Sequence, residues 1–157
     1  MANPYRRLLL WLGARRSVAA AAARLQPGID RALMRIGRGR ISTVASMPAL
    51  LLTSTGRRSG REHTVPLFHV PAGSGWAVVD TSYGRSARPA WSLNLEADAS
   101  CTVRVDGKDR ASAARRAAGE EFEASWRDLL DVWPLYADYA TRSGRTPIVW
   151  ILVPEAG

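Results

Sequence analysis

The residues of this chain best suited to chemistry lie between Leu51 and Arg61. There Leu51-Leu52-Thr53-Ser54-Thr55-Gly56-Arg57-Arg58-Ser59-Gly60-Arg61 sets hydroxyls, two glycines and three arginines in one short stretch. Guanidinium binds phosphate or carboxylate through paired hydrogen bonds, and glycine lets backbone N–H groups come close to an anion. The stretch therefore reads either as an anion cradle or as a solvated hairpin tip. It is not a Walker loop, because the G-x-x-x-x-G-K-S/T spacing is absent. No His–carboxylate pair and no nucleophile triad accompanies it. His63 and His69 are the only histidines and lie in one strand and turn, a poor basis for a zinc site, so no metal is expected. Cys101 is the single cysteine, which excludes an intramolecular disulfide framework and suits a reducing cytoplasm. It reads as a small buried hydrophobe, and His69 as a turn-side polar residue with no special role.

The elements that must position these residues read as a small antiparallel sheet. Ala49 to Thr55 and Thr64 to Val70 are apolar, β-prone runs joined through Gly56–Gly60 as a hairpin. Pro71 to Gly75 is a turn cluster, Trp76 to Thr81 a third strand, and Ala90 to Ala97 one or two helical turns. Cys101 to Val105 resumes the sheet, and Asp106-Gly107 turns into a strand near Arg110 to Arg116. Glu120 to Val132 carries Phe122, Trp126, Leu129 and Leu130 on one side of a helix, with early acidic residues suiting its N-terminal dipole. Pro134 stops that helix, Tyr136 to Arg142 reads as a short helical turn, and Pro147 to Val153 as a last strand. Strands with helices at the ends indicate an α+β fold, most simply a small barrel of about six strands.

With 157 residues, 46% hydrophobic and 23% charged, the chain has the make-up of one folded domain. The net charge of +8 raises nucleic acid as a partner, but position argues against it. Residues 1–40 hold nine arginines against Asp30, and the rest carries 13 basic and 13 acidic groups, so the body is neutral. We read 1–40 as a basic helical extension and 41–157 as the barrel domain. Leu8 to Leu12 is too short to span a bilayer. Arginines recur inside each apolar stretch that could serve as a secretory or twin-arginine signal, which argues against one. From Ile29, Ala32, Leu33 and Ile36 recur at helical spacing with Arg31, Arg35 and Arg38 opposite. That basic stripe is either a solvated face or an attachment to an anionic membrane surface through residues 5–40, at the inner face of the cell membrane.

Taken together, four motifs resemble those of the deazaflavin-dependent nitroreductase family, over about Arg31 to Pro154. Leu51 to Gly60 followed by Thr64-Val65-Pro66-Leu67 is similar to "LLTTTGRKSG…TTPL". Val78-Val79-Asp80-Thr81-Ser82-Tyr83-Gly84 resembles "VVAS-x-GG", and Arg88-Pro89-Ala90-Trp91-Ser92-Leu93-Asn94-Leu95 resembles "HPAWYHNL". Trp133 to Tyr139 with Arg145 to Val149 resembles "YPGYADY…R-x-IPVV".

The resemblance implies a split β-barrel that holds coenzyme F420, with FMN or FAD as the alternative cofactor. It also implies transfer of a hydride from the reduced deazaflavin to a quinone, enone or nitroaromatic acceptor. Carried across by position, Arg57, Arg58 and Ser59, with His63 beside them, would meet the phosphate and anionic tail. Thr64, Pro66, Leu67 and Phe68 would line the groove, and Val79, Asp80 and Thr81 would lie beside the ring. Ala90, Trp91, Ser92, Leu93 and Asn94 would close over the cofactor. Tyr136, Tyr139 and Thr81 are the candidate catalytic residues, a tyrosine hydroxyl being able to meet negative charge developing on the acceptor. The plainer readings are aromatic packing for the tyrosines and Trp133, core packing for Trp91 and Trp126, and a local helix cap for Asn94. Other open readings are a carrier that binds F420 or a flavin without turnover, or a peripheral membrane module. Barrels of related flavoproteins often pair, so a homodimer is a further expectation. The chain departs from the family pattern at His63, Tyr83, Arg88 and Ser92.

Overall fold

Leu50, Leu52 and Ser54 alternate with Leu51 and Thr53, and this period of two makes β1 (Ala49–Thr55) a strand with one fully buried face. Such a strand needs partners on both edges. It finds them in β2 (Glu62–Phe68) and β5 (Ser100–Val105), both antiparallel to it. The remaining elements are β3 (Val70–Ala72), β4 (Gly75–Val79), α1 (Ala90–Ala97), β6 (Lys108–Arg116), α2 (Gly119–Val132), α3 (Leu135–Ser143) and β7 (Val149–Pro154). The computed structural model describes residues 48–156. The helical extension expected over 1–40, and the boundary at residue 41, fall outside the described residues.

The seven strands form one sheet in the order β2-β1-β5-β6-β7-β4-β3, with every pairing antiparallel. The two edge strands, β2 and β3, are separated in the chain by His69 alone. A flat sheet cannot satisfy that connection, so the sheet curls until the end of β2 reaches the start of β3, giving the split barrel expected of the α+β class. His69 is buried at this closure, and its backbone N–H donates to the Pro48 carbonyl at 3.2 Å. Burial lowers the pKa of its imidazole, against a smaller opposing effect from Asp106, and Nδ1 has no hydrogen-bond partner. It is thus the residue on which the barrel closes, not the turn-side residue expected from the sequence.

The closure also explains where element boundaries depart from expectation. β2 ends at Phe68 and not Val70, because Val70 already belongs to the opposite edge. Val70–Ala72, expected partly as turn, is a seventh strand, and Pro71 is tolerated there because an edge strand leaves one side unpaired. β4 stops at Val79, short of the expected Thr81, and α3 is a full nine-residue helix ended by Gly144 at φ 67.

Two apolar clusters lie on the two sides of the sheet. The barrel interior holds Leu50, Leu52, Val78, Val103, Trp150 and Leu152, with Trp91 and Leu95 of α1 packed among them. The outer cluster holds Ala77, Val79, Val149 and Ile151 with Leu129 of α2 and Leu135, Tyr136 and Tyr139 of α3. β4 and β7 alternate between the clusters and are buried on both faces, which is why Val149 to Val153 reads as an unbroken apolar run. Cys101 behaves as the small buried hydrophobe expected. Its thiol donates to the Ser112 carbonyl at 3.5 Å, and burial pushes it up to about 11, so it stays protonated. The alternation of strand direction along β1-β5-β6-β7-β4 has a further effect on the site. It places the C-terminal ends of β1 and β4 at the same end of the barrel.

Candidate functional site

At that end the chain leaves β1 through the Gly56–Arg61 turn and leaves β4 through Asp80, Thr81 and a 3-10 turn at Ser82–Gly84. α1 bridges the two exits. On one side the Asn94 carboxamide accepts from the Arg57 backbone N–H at 3.1 Å and donates to Ser54 Oγ at 3.4 Å. On the other, Ser92 Oγ donates to Asp80 Oδ2 at 2.8 Å. Asn94 therefore does not cap its own helix; it fastens the arginine turn to α1.

The turn is built tightly. The Gly56 N–H donates to the Arg61 carbonyl and the Gly60 N–H to the Gly56 carbonyl, each at 2.7 Å, with Gly60 at φ +66. A Cβ on Gly56 would come within 2.6 Å of Ser59 Oγ and 2.8 Å of the His63 ring, so any larger residue would push these two side chains aside. Ser59 Oγ is 3.3 Å from His63 Nε2 and accepts from the Arg61 N–H at 3.3 Å. The glycine amides are thus spent inside the turn, contrary to the expected backbone cradle. Arg57, Arg58 and Arg61 are exposed and join no ion pair among the described residues. The groups this turn presents to solvent are therefore guanidiniums.

The pleat divides the residues expected along β2. Thr64, Pro66 and Phe68 share the outer face with Thr53 and Leu51, and Thr53 Oγ1 lies 2.7 Å from Thr64 Oγ1. Phe68 continues this face onto Trp133, with ring centroids 5.6 Å apart. Leu67 points the other way and packs against the barrel interior, so it does not share the face of its neighbours. Trp91 is likewise interior, as its packing reading requires, whereas Ala90 is exposed and Leu93 half-buried.

Asp80 is the centre of the site's frame. Its side chain is fully buried and its two oxygens accept four hydrogen bonds. Arg145 Nη1 and the Ile148 N–H reach Oδ1 at 2.8 Å each, while Ser92 Oγ at 2.8 Å and Arg88 Nε at 3.1 Å reach Oδ2. Arg145 Nη2 also donates to the Asp80 carbonyl. Ser92 Oγ in turn accepts from Arg88 Nη2 and Trp150 Nε1, both at 2.9 Å, and Arg88 Nη1 continues to Glu96 at 2.7 Å. Arg88 stands where the family pattern shows histidine and Ser92 where it shows an aromatic ring, and these two departures bond to each other and to Asp80. The small hydroxyl leaves space for Arg88 to fold inward, so Arg88 braces Asp80 and does not project toward a ligand. Arg145 and Glu96 were not singled out from the sequence; a lone carboxylate ending an apolar strand was the signal that arginine partners were needed.

Beyond Thr81, which is buried, the 3-10 turn packs on α3. Tyr83 has the left-handed φ of 55°, and its ring centroid is 6.0 Å from that of Tyr139, itself 6.4 Å from Tyr136. Burial pushes the Tyr136 phenol well above its usual range, with smaller effects from Tyr83 and Tyr139, so it is protonated at neutral pH. Burial also raises Tyr139, partly offset by a hydrogen bond with Trp133 and by the charge of Arg142.

The curled antiparallel sheet with helices at its ends, carrying an exposed arginine turn and a buried tyrosine pair, is of the split-barrel type. Comparison with known proteins narrows this. The model of the F420H(2)-dependent quinone reductase family matches residues 25–154, and the chain belongs to that family, whose members are F420-dependent oxidoreductases. A Mycobacterium tuberculosis (strain H37Rv) protein named "Putative F420H(2)-dependent quinone reductase Rv3178" is 28% identical over 106 residues, covering 68% of this chain and 84% of the relative. The solved structure of an F420-H2 dependent reductase, FDR-A, is 33% identical with a TM-score of 0.61, over 67% of this chain and 93% of that one. A further structure, a domain-swapped dimer, is 29% identical with a TM-score of 0.63, over 82% of this chain and 96% of that one.

The frame makes a stability prediction. Asp80→Asn removes a fully buried carboxylate from two half-buried arginines and should cost about 3–5 kcal/mol in thermal or denaturant unfolding. Glu121→Gln, which removes only the exposed pair with Arg115, should cost less than about 1 kcal/mol. Equal losses in the two variants would contradict the role given to Asp80.

Proposed function

We propose that this protein transfers a hydride from reduced F420 to a quinone, with enones and nitroaromatics as further acceptors, at the barrel end where β1 and β4 finish. The observation that carries the reading is the exposed triplet Arg57, Arg58 and Arg61 on a turn fastened to α1. It fits a cofactor with a phosphate and a polyanionic tail better than one that is neutral at its outer end. Arg57, Arg58 and Ser59 would hold that tail, with His63 placed by Ser59. Thr64, Pro66 and Phe68 would supply the groove wall, and Thr81, Ala90 and Leu93 would border the ring. Val79, Asp80, Trp91, Ser92 and Asn94 act as the frame behind them, and Leu67 as core.

Bound F420H2 supplies the hydride; the chain supplies position, dryness and hydrogen bonds. As the acceptor takes the hydride, its carbonyl oxygen gains negative charge. Tyr136, kept protonated by burial, and Tyr139 on the same helix face would be the donors that meet it. Water then provides the proton that completes the hydroquinone.

Stopped-flow oxidation of F420H2 by menadione should be accelerated by the protein, where a pure carrier would give no acceleration. Arg57→Ala with Arg58→Ala should raise the KM for F420H2 by about tenfold or more at low salt, with kcat changed less. An unchanged KM would remove the tail from this turn.

Two partners complete the reading. Pairing of two copies is supported by the likeness to a domain-swapped dimer. Contact of residues 5–40 with an anionic membrane surface is supported by nine arginines against Asp30 over residues 1–40. Among the described residues no helix is long and apolar enough to cross a membrane. In flotation with phosphatidylglycerol vesicles, the full chain should rise and a chain beginning at Ile41 should not; equal behaviour excludes the contact.

A further inference from the structure

Arg142 lies on the last turn of α3, with its guanidinium over the Tyr139 ring at 5.0 Å from the centroid. Its Nε and Nη2 are shut off from solvent without a hydrogen-bond partner, and it joins no ion pair among the described residues. Arg145, on the same segment, differs sharply, since both of its terminal nitrogens bond Asp80. A half-buried guanidinium with two nitrogens unpaired and no carboxylate beside it among the described residues keeps the capacity to bind an anionic oxygen.

The neighbourhood is shaped around this group. Gly84, at φ +79, makes room for it: a Cβ there would lie 3.2 Å from Arg142 Cβ and Nε. Tyr83, immediately before, is the one large apolar side chain left exposed among the described residues, at 38%. A flat aromatic surface thus stands beside an unmet positive charge, on the helix that carries Tyr136 and Tyr139.

We propose that Arg142 is a specificity-determining residue that binds an anionic oxygen of the acceptor, with Tyr83 and Tyr139 as the platform for its ring. The preferred acceptors are then planar aromatic quinones bearing a carboxylate, sulfonate or comparable anionic substituent. This rests on the reading that the α3 tyrosines face the acceptor. The pairing is a charge-assisted hydrogen bond at a half-buried group, roughly twice as strong as one between neutral groups. It is made to a substituent that does not react, so it acts on acceptor binding more than on the hydride step.

The test compares 1,4-naphthoquinone-2-sulfonate with neutral menadione as acceptors for the native protein, Arg142→Met and Arg142→Lys. Arg142→Met should raise the KM for the sulfonate by about 10- to 100-fold and that for menadione by less than about threefold, with Arg142→Lys recovering part of the loss. Binding of 1-hydroxy-2-naphthoate to the protein without F420, read by quenching of tryptophan fluorescence, should weaken in parallel. Equal effects on both quinones, or naphthoate binding that is absent or indifferent to Arg142, overturns the proposal. If the native protein reduces neither quinone with F420H2, the proposed function fails, and the naphthoate titration alone still decides the role of Arg142.

Discussion

A carboxylate withdrawn from water must be met by donors on every side, and Asp80 meets that requirement by drawing on parts of the chain remote from one another. Arg88 and Ser92 come from the entry and first turn of α1, and Arg145 and the Ile148 N–H from the segment between α3 and β7. The exit of β4, the helix over the barrel mouth and the tyrosine-bearing helix are therefore held by one group. Removing any donor leaves the others facing a poorly solvated charge, which makes the set cooperative. The frame of the site and the stability of the fold are in this respect the same interaction.

The second tie, from Asn94 to the Arg57 N–H, acts on the opposite side of the mouth and would have nothing to bridge if the sheet were flat. Curling is imposed by connectivity, since one residue, His69, carries the chain from one edge strand to the other. Closure brings the ends of β1 and β4 within reach of a single eight-residue helix. What results is an exposed arginine turn at the exit of β1, and at the exit of β4 a turn packed on the helix that carries the buried phenols. That division suits a long, tailed cofactor whose reactive ring must be dry while its charges remain near solvent.

Much of this was legible in the sequence, and the failures are as informative as the successes. The strands of β1 and β7 were readable because alternation in one and an unbroken apolar run in the other reflect burial on one face or two. The hairpin turn with its exposed arginines was readable from glycine and arginine spacing, and the family resemblance supplied the cofactor. The closure at His69 was not readable, because nothing local tells a residue that it lies between opposite edges of one sheet. The pleat of β2 was in principle available, since period-two alternation already separates Leu67 from Thr64, Pro66 and Phe68, yet a linear motif hides it. The roles of Arg88 and Arg145 were hidden for a further reason. The departures Arg88 and Ser92 look independent along the chain, and only their common contact with Asp80 shows them to be one substitution in physical terms. The same limit applied to Arg142, which meets the Tyr139 ring but no carboxylate among the described residues.

The central claim is that the chain holds a deazaflavin by its anionic tail at the Arg57–Arg61 turn. Equilibrium titration of the purified protein with F420, FMN and FAD, followed by quenching of its tryptophan fluorescence, tests it most directly. The account predicts that F420 binds most tightly and that its affinity falls as salt is raised, because screening acts on exposed charges. Tighter binding of FMN or FAD than of F420, or F420 affinity indifferent to salt, would contradict it.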